Sequence, residues 1–200
     1  VTSGQVISSR SSILSTIVTL DSQEPKTGTK QRLESVMDFA CGSGSLLLNV
    51  RKRMGPHGIG KIYGQEKNIT TYNLARMNML LHGVESPDIR YRDSLSEGAS
   101  GDAEKYTLIL ANPPYSIKQW NREAWSSDKW GRNSLGTPPQ GRADYAFQQH
   151  ILTSLTAKGR SAVLWPHGVL FRNEEQAMRA KMIEQDWVEA VIGLGPNLFY

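Results

Sequence analysis

Short apolar runs alternate with helical patterns along most of this 200-residue chain. Each run is bounded by turn signals, and most are followed by a segment with helical spacing of apolar residues. Strands that alternate with helices are joined by crossovers, which make neighbouring strands parallel and cover both faces of a sheet. The order β-α-β-α-β-β-α-β-α-β therefore predicts an α/β fold with a doubly wound, mostly parallel sheet. The predicted strands are 35–40, 61–65, 89–92, 106–111, 161–165 and 188–194.

Helical patterns fill most of the intervals between these strands. One helix is predicted from Ser45, with three basic residues at its end, where the helix dipole favours cations. Asn68 is the predicted N-cap of the next helix and Gly83 its predicted stop. Apolar residues lie nearly all round that helix, which predicts deep burial. A long polar loop is predicted over 116–142, and further helices over 6–20, 143–151 and 173–185.

Composition limits the class of protein. A surplus of 23 Lys and Arg over 19 Asp and Glu gives a charge of +4, which permits a polyanionic partner without requiring one. Cys41 is the sole cysteine, so an internal disulfide is excluded and a reducing compartment fits. No metal site with zinc spacing and no membrane-spanning run is present in the sequence. The length predicts one domain over 1–200, with a leading helix and loop (1–34), a half that bears the motifs (35–115), the polar loop (116–142) and the second half of the sheet (143–200).

The first predicted strand ends in the glycine turn Asp38-Phe39-Ala40-Cys41-Gly42-Ser43-Gly44-Ser45. Glycines let a strand turn tightly into a helix and let a ligand approach the backbone. The helix that follows offers free N–H groups to a carboxylate or a phosphate. No Gly-Lys-Ser/Thr follows, so the turn is not a P-loop. The pattern alone is equally compatible with a ligand site and with a plain turn.

Acidic residues follow the next two strands. Glu66, at the end of the second strand, is suited to accept hydrogen bonds from both ribose hydroxyls of a nucleoside; the alternative is a solvated surface glutamate. Asp93 follows the third strand, where it suits either the amino group of an adenine or the cap of a helical turn. Because carboxyl ends of parallel strands meet at one edge of a sheet, these residues are expected to share a site with the glycine turn.

The fourth strand ends in Asn112-Pro113-Pro114-Tyr115, the most informative motif of the chain. An exocyclic amino group on a nucleobase is a poor nucleophile, because its lone pair is delocalised into the ring. The side-chain oxygen of Asn112 and the carbonyl of Pro113 can accept its two protons and localise that lone pair. Two prolines hold the acceptors rigidly, and Tyr115 can stack on the base. The motif therefore predicts chemistry on an amino group.

Other residues with possible functional roles can also be explained by packing alone. Cys41 and His150 are predicted to be packing residues, since nothing in the pattern makes either one a nucleophile or a base. The tryptophans of the polar loop fit a nucleic-acid surface or the packing of the loop onto the domain, and both interpretations stay open. They are Trp120, Trp125 and Trp130, among Lys118, Arg122, Lys129, Arg132 and Arg142.

With these motifs the chain resembles the modification (DNA methyltransferase) subunit of type I restriction–modification systems. Asn-Pro-Pro-Tyr alone is shared by several kinds of amino-group methyltransferase, but the full set of segments is specific. The resemblance runs from about Thr2 to Tyr200 and is carried by residues 38–47, 63–66, 74–83, 111–115, 143–147, 166–172, 191–194 and 197–200.

The resemblance implies a class I S-adenosylmethionine-dependent methyltransferase fold that methylates N6 of adenine in DNA. Catalysis would rest on positioning for in-line transfer, with no metal and no covalent intermediate. The cofactor-binding residues it implies are Thr2, Asp38, Ala40, Gly42, Ser43, Gly44, Ser45, Glu66, Asp93 and Asn112. The catalytic residues it implies are Asn112, Pro113, Pro114 and Tyr115, the last of these stacking on a base flipped out of the duplex.

The resemblance also implies partners and a compartment. These are DNA, a specificity subunit that reads its sequence, a restriction subunit, a second copy of the modification subunit, and the cytoplasm. Members of the family carry a helical domain before the position of Thr2 and continue past that of Tyr200 into a last strand. The chain starts with Val1, so we expect a piece of a longer protein, whose sixth strand lacks a sheet partner.

Two other functions remain open at this stage. The motif chemistry also suits a methyltransferase that acts on a protein glutamine or an RNA guanine. A cofactor-binding or assembly module without turnover would show the same glycine turn and acidic residues. Binding of the cofactor without methyl transfer would identify the second of these.

Overall fold

The computed structural model describes residues 32–97, 105–115 and 117–194. Within these ranges one five-stranded sheet forms, with the order β3-β2-β1-β4-β5 and every neighbouring pair parallel. The chain moves outward from β1 to β3 and then crosses back to place β4 beside β1. This confirms the predicted doubly wound sheet and puts its switch point between β1 and β4. The strands are β1 (Leu33–Asp38), β2 (Ile59–Glu66), β3 (Asp88–Tyr91), β4 (Tyr106–Ala111) and β5 (Leu155–Val163).

Six α-helices lie in the described ranges, with 3₁₀ turns at His167–Leu170 and Asn173–Glu175. A four-residue turn of helix stands between β3 and β4, where no helix is predicted, and a short helix interrupts the predicted polar loop. The predicted helix over 6–20 lies outside the described residues. The helices are α1 (Ser45–Met54), α2 (Ile69–Leu81), α3 (Ser94–Glu97), α4 (Arg122–Ser126), α5 (Asp144–Ser154) and α6 (Gln176–Glu184).

The two faces of the sheet carry separate apolar cores, because side chains alternate along each strand. Val36 of β1 packs on one face together with Leu47 of α1 and Met79 of α2. Its neighbour Met37 packs on the other face with Ile151 of α5. Helices therefore cover both faces, and the carboxyl ends of the strands stay open for a site. None of the helices in the described ranges is long and apolar enough to cross a membrane.

The strand-to-helix turn after β1 requires glycine at Gly44. Its backbone has φ +79°, and a Cβ built there would lie 2.7 Å from the Met79 methyl group. An L side chain would be strained by this φ value and crowded by the Met79 methyl group. The turn thus lets α1 begin next to α2, and the predicted basic residues do end α1.

The predicted N-cap and stop of α2 are confirmed, but its predicted deep burial is not. The Asn68 side chain accepts a hydrogen bond from the Thr71 N–H at 3.0 Å, and Gly83 has φ +68°. Only Ala75 and Met79 of this helix are buried. The other apolar side chains lie on a face that no described residue covers; their exposed fractions are Ile69 49%, Leu74 47%, Met77 60%, Leu80 62% and Leu81 75%. A helix packed on one side of a sheet buries one face, so deep burial was the wrong expectation.

Two predicted strands differ from the structure. The predicted strand 161–165 is β5, which begins at Leu155 directly after α5; its exposed polar residues hide the strand pattern. The predicted strand 188–194 is not a strand in the described part of the chain, and its residues are mostly exposed. A strand forms only by hydrogen bonding to a neighbouring strand, and this segment has no such neighbour among the described residues. The predicted helix over 173–185 starts as a 3₁₀ turn and becomes α-helical at Gln176.

Candidate active site

The carboxyl ends of β1, β2, β3 and β4 open into one cavity of about 750 Å³. Five of the residues predicted from sequence line it: Ala40, Glu66, Asp93, Asn112 and Pro114. The other predicted site residues in the described ranges lie outside its lining: Asp38, Gly42, Ser43, Gly44, Ser45, Pro113 and Tyr115. Thr2 lies outside the described residues. The rest of the wall comes from residues just after β1, β2 and β3, from α3 and α5, and from the segment 117–142, hereafter the wall segment. The further lining residues are Phe39, Lys67, Arg92, Ser94, Leu95, Ser96, Ile117, Gln119, Trp120, Asn121, Gln140 and Phe147.

Glu66 ties the glycine turn to the end of β2. Its Oε2 accepts a hydrogen bond from the Gly42 N–H at 3.0 Å, and its Oε1 accepts one from the Asn68 N–H at 2.7 Å. A carboxylate oxygen has two acceptor sites, so each oxygen keeps one for a ligand in the cavity. Glu66 is thus fixed by the backbone rather than free in solvent, in contrast to the alternative of a solvated surface glutamate.

Asp38 lies beneath this turn and is almost completely buried. Its Oδ1 accepts a hydrogen bond from the Ala40 N–H at 3.0 Å. Burial raises the pKa of Asp38 to about 7, and the charge of Glu66 adds to the increase. Burial also raises the pKa of the Cys41 thiol well above its ordinary value, which agrees with its predicted packing role.

Asp93 caps a helical turn, one of the two roles predicted for it, and it also lies at the wall of the cavity. Its Oδ1 caps α3 by accepting the Leu95 N–H at 3.1 Å, and its carboxylate lines the cavity. Burial alone would raise the pKa of Asp93, but the Lys67 ammonium, 2.7 Å from Oδ2, lowers it below the ordinary value. The residue is therefore an anionic helix cap, with the cavity on one side.

The motif after β4 places a buried residue between exposed ones. Pro113 is buried, whereas Asn112 and Tyr115 are exposed. The Tyr115 hydroxyl donates a hydrogen bond to Asn112 Oδ1 at 2.9 Å. The end of β4 is held by the Leu164 N–H, which donates to the Ala111 carbonyl at 3.0 Å. The Asn112 oxygen thus points toward a hydroxyl donor at the mouth of the cavity.

The wall segment is hydrogen-bonded to itself and to α5. The Trp120 indole donates to the Gln140 carbonyl at 2.9 Å. The buried Gln149 side chain accepts the Leu135 N–H at 2.8 Å and donates to the Gly136 carbonyl at 3.0 Å. Trp125 is buried. These contacts favour packing as the role of Trp120 and Trp125. The centroid of the Trp130 ring lies 4.4 Å from the Lys129 ammonium.

Ser94 lines the cavity but is absent from the sequence-based prediction, and two buried polar residues next to the site, Arg132 and His150, are predicted from sequence only as surface or packing residues. Ser94 is buried, with its hydroxyl 2.7 Å from the Phe39 carbonyl oxygen and 2.8 Å from Gln65 Oε1. Arg132 is buried beside it, although sequence reasoning assigned it only to a basic surface or to loop packing. His150 is buried, as predicted, and burial lowers its pKa to about 3, with Arg132 adding to the decrease. No local pattern distinguishes these residues from an ordinary polar residue.

Comparisons with known proteins agree with this architecture. The model of the N-6 DNA Methylase family matches residues 4–200. A type I restriction enzyme methylase subunit, MpnII of Mycoplasma pneumoniae, is 36% identical over 86% of this chain and 34% of its own length. The HindI methylase subunit of Haemophilus influenzae is 34% identical over 98% of this chain and 43% of its own length. This chain therefore spans less than half of the length of each of these relatives.

Solved structures give the same result. The methyltransferase subunit of a type I restriction-modification system from Streptococcus thermophilus superposes with a TM-score of 0.73 and 33% identity, over 87% of this chain and 37% of that one. A SAM-dependent O-methyltransferase from Thermotoga maritima shares the fold alone, with a TM-score of 0.51 and 17% identity over 90% of this chain and 52% of that one. The fold is that of class I S-adenosylmethionine-dependent methyltransferases, and the chain belongs to the N-6 DNA methylase family.

Proposed function

We propose that this chain is the catalytic segment of the methylase subunit of a type I restriction system. It transfers a methyl group from S-adenosylmethionine to N6 of adenine in DNA. The single observation that carries the proposal is the cavity that joins Glu66, Asp93 and Asn112 at the carboxyl ends of neighbouring strands. Family membership and the type I relatives support the substrate class.

The cavity suits S-adenosylmethionine in size and in chemistry. Its volume of about 750 Å³ lies in the range of small-molecule sites. The open acceptor positions on Glu66 fit a ribose diol, and the side chains of Leu95 and Phe147 offer apolar walls to an adenine ring. Asp93 stands beside them to accept from the adenine amino group. When bound, this cofactor supplies an electrophilic methyl group on a sulfonium sulfur.

The strand-end motif prepares the target amine. Asn112 Oδ1 and the Pro113 carbonyl accept the two N–H protons and draw the nitrogen lone pair out of the ring. Pro114 fixes the backbone, so these acceptors need no reorganisation during the reaction. The Tyr115 ring is exposed and free to stack on a base taken out of the duplex.

The proposal extends to partners. A specificity subunit chooses the DNA sequence, a second methylase subunit completes the modification enzyme, and a restriction subunit joins for cleavage. The relatives are subunits of type I restriction enzymes, which supports a multisubunit assembly. Access to chromosomal DNA puts the reaction in the cytoplasm of a bacterial or archaeal cell.

Calorimetric titration of S-adenosylmethionine tests the cofactor site. The wild-type chain is expected to bind, and Glu66→Ala to weaken binding by about 10- to 100-fold, because charged hydrogen bonds are worth roughly 1.5–3 kcal/mol. Glu34→Ala, an exposed glutamate on β1, is the control and keeps the wild-type Kd. A folded wild-type chain that binds no S-adenosylmethionine contradicts the proposal.

A methylation assay separates the alternatives. Tritiated methyl transfer to DNA in the presence of a specificity subunit supports the proposed function. Binding of cofactor without transfer to DNA identifies an assembly module. Transfer to RNA or to a protein glutamine, but not to DNA, identifies the other class of amino-group methyltransferase.

Tyr115→Phe tests the hydrogen bond at the mouth of the cavity. The Tyr115 hydroxyl takes one of the two acceptor positions of the Asn112 oxygen and so competes with the target amine for that atom. Its removal is expected to lower the KM for DNA by about 2- to 10-fold, the value of a hydrogen bond of roughly 0.5–1.5 kcal/mol. Tyr115→Ala, which also loses the ring, is expected to raise that KM. Equal KM values for wild type and Tyr115→Phe would show that the hydroxyl does not compete with the base.

A further inference from the structure

Arg132 is a buried cation inside the wall segment. Only 3% of the residue is exposed, and its guanidinium lies 2.6 Å from the Asp128 carboxylate. The side chain of Asp128 is 2% exposed. The Trp125 and Trp130 rings lie 4.3 Å and 4.6 Å from the guanidinium carbon, measured to the ring centroids. A buried ion pair stabilises a fold only when its remaining donors are satisfied.

The remaining donors of Arg132 reach the floor of the cavity. Nη1 donates to the Ser94 carbonyl and Nη2 to the Leu95 carbonyl, both at 2.8 Å. Nη1 also lies 3.2 Å from His150 Nδ1, which accepts because the depressed pKa keeps that ring neutral. One side chain therefore joins the wall segment, α3 and α5.

The carbonyls that Arg132 binds belong to a very short helix. Helix α3 is a single turn of four residues, and Asp93 caps its start. Arg132 binds two carbonyls of the same turn, whereas Asp93 accepts from one of its N–H groups. The Ser94 hydroxyl lies at hydrogen-bond distance from the Phe39 carbonyl oxygen, at the end of β1. The guanidinium thus fixes the distance between the cavity floor, the glycine-turn strand and the facing wall.

We propose that Arg132 is a positioning residue for the cofactor, which sets the width of the cavity between Leu95 and the wall segment. The proposal rests on S-adenosylmethionine as the ligand of that cavity. Arg132 touches no reacting atom. Its loss releases two buried carbonyls on the floor, and Leu95 and Ser96 move with them. Ligand sites tolerate displacements of only about 0.5 Å without loss of binding.

A double substitution separates positioning from folding. Arg132→Met or Asp128→Asn alone leaves a buried charge or polar group without its partner, and both are expected to destabilise the fold. Asp128→Asn with Arg132→Met removes the uncompensated charge and recovers much of that stability, but not the hydrogen bonds to Ser94 and Leu95. Urea unfolding measures the stability of each variant, and calorimetric titration of S-adenosylmethionine measures how the loss of the hydrogen bonds to Ser94 and Leu95 affects binding.

We expect the folded double variant to bind S-adenosylmethionine about tenfold more weakly than wild type. Arg132→Lys keeps the charge but offers one ammonium to two carbonyls and a carboxylate. Its Kd for S-adenosylmethionine is therefore expected to lie between those of wild type and the double variant. Arg142→Met is the matched control: Arg142 lies in the same segment and pairs with Glu174 at 2.5 Å, but outside the cavity. Its Kd is expected to equal that of wild type. With DNA, KM for the cofactor rises in the double variant while kcat at saturation changes less than threefold, because Asn112 is untouched.

Each other outcome decides the matter. A folded double variant with wild-type Kd overturns the positioning role. If the double variant does not fold, Arg132→Lys decides, and a wild-type Kd for it overturns the role as well. A wild-type chain that binds no S-adenosylmethionine overturns both this role and the proposed function, whereas binding by wild type with no effect of the variants overturns the role alone.

Discussion

Replacing Asn112 by alanine is expected to lower kcat for DNA methylation by about 10²–10³ at saturating S-adenosylmethionine, the cost of removing one preorganised acceptor or donor from a developing charge. The target amine then meets only the Pro113 carbonyl, and one of its protons loses its acceptor. The nitrogen lone pair stays delocalised in the ring, so the barrier to attack rises.

The measurement separates this role from cofactor binding, since Asn112 also lines the cavity. Single-turnover transfer of tritiated methyl to DNA gives the chemical step, and calorimetry gives the Kd for S-adenosylmethionine. We expect the Kd to change less than tenfold. Asn73→Ala, on the exposed face of α2, is the matched control and keeps wild-type kcat. A kcat for Asn112→Ala within fivefold of wild type would refute the assignment of Asn112 as an acceptor for the amine.

The sequence predicts best those features that are local. The Asn68 cap spans three residues to Thr71, and the proline pair ends β4 within its own motif. Such features depend on side chains and backbone groups within one turn of each other, so a pattern reveals them. The doubly wound arrangement of a mostly parallel sheet follows as well, because parallel crossovers leave few topologies.

The sequence predicts that Glu66 shares a site with the glycine turn, but it does not predict the individual hydrogen bonds between distant residues. Glu66 receives the N–H of Gly42, 24 residues away, and Arg132 reaches Ser94 across 38 residues. No periodicity signals such pairs; they arise when the sheet brings strand ends together. The segment 188–194 shows the reverse case. Its apolar residues satisfy the strand pattern, but a strand also needs a neighbour, and that neighbour is not a property of the segment.

Asp38 illustrates a cost that only the structure reveals. In the unfolded chain its carboxyl has an ordinary pKa near 3.8, but in the fold burial raises that pKa to about 7, with Glu66 adding to it. Between these values the folded state holds a proton that the unfolded state has lost. Stability therefore falls as pH rises from about 4 to 7, and above 7 the full penalty remains. A shift of this size corresponds to roughly 4 kcal/mol.

Asp38→Asn is expected to remove this pH dependence. The asparagine oxygen still accepts the Ala40 N–H but cannot ionise. The difference in unfolding free energy, variant minus wild type, is expected to rise by about 3–4 kcal/mol between pH 4 and pH 8. Urea unfolding at a series of pH values measures it. Taking the difference cancels every other carboxylate that titrates in both proteins.

Glu34→Gln, on the exposed outer part of the same strand, removes one charge without touching the turn. Its unfolding free energy is expected to stay within about 0.5 kcal/mol of the wild-type value at all pH values, as for most surface substitutions. A flat difference for Asp38→Asn would mean that Asp38 ionises freely in the fold. A difference that rises with pH would mean that the buried Asp38 carboxyl destabilises the fold. Its presence under the glycine turn is then expected if it contributes to ligand binding rather than to stability.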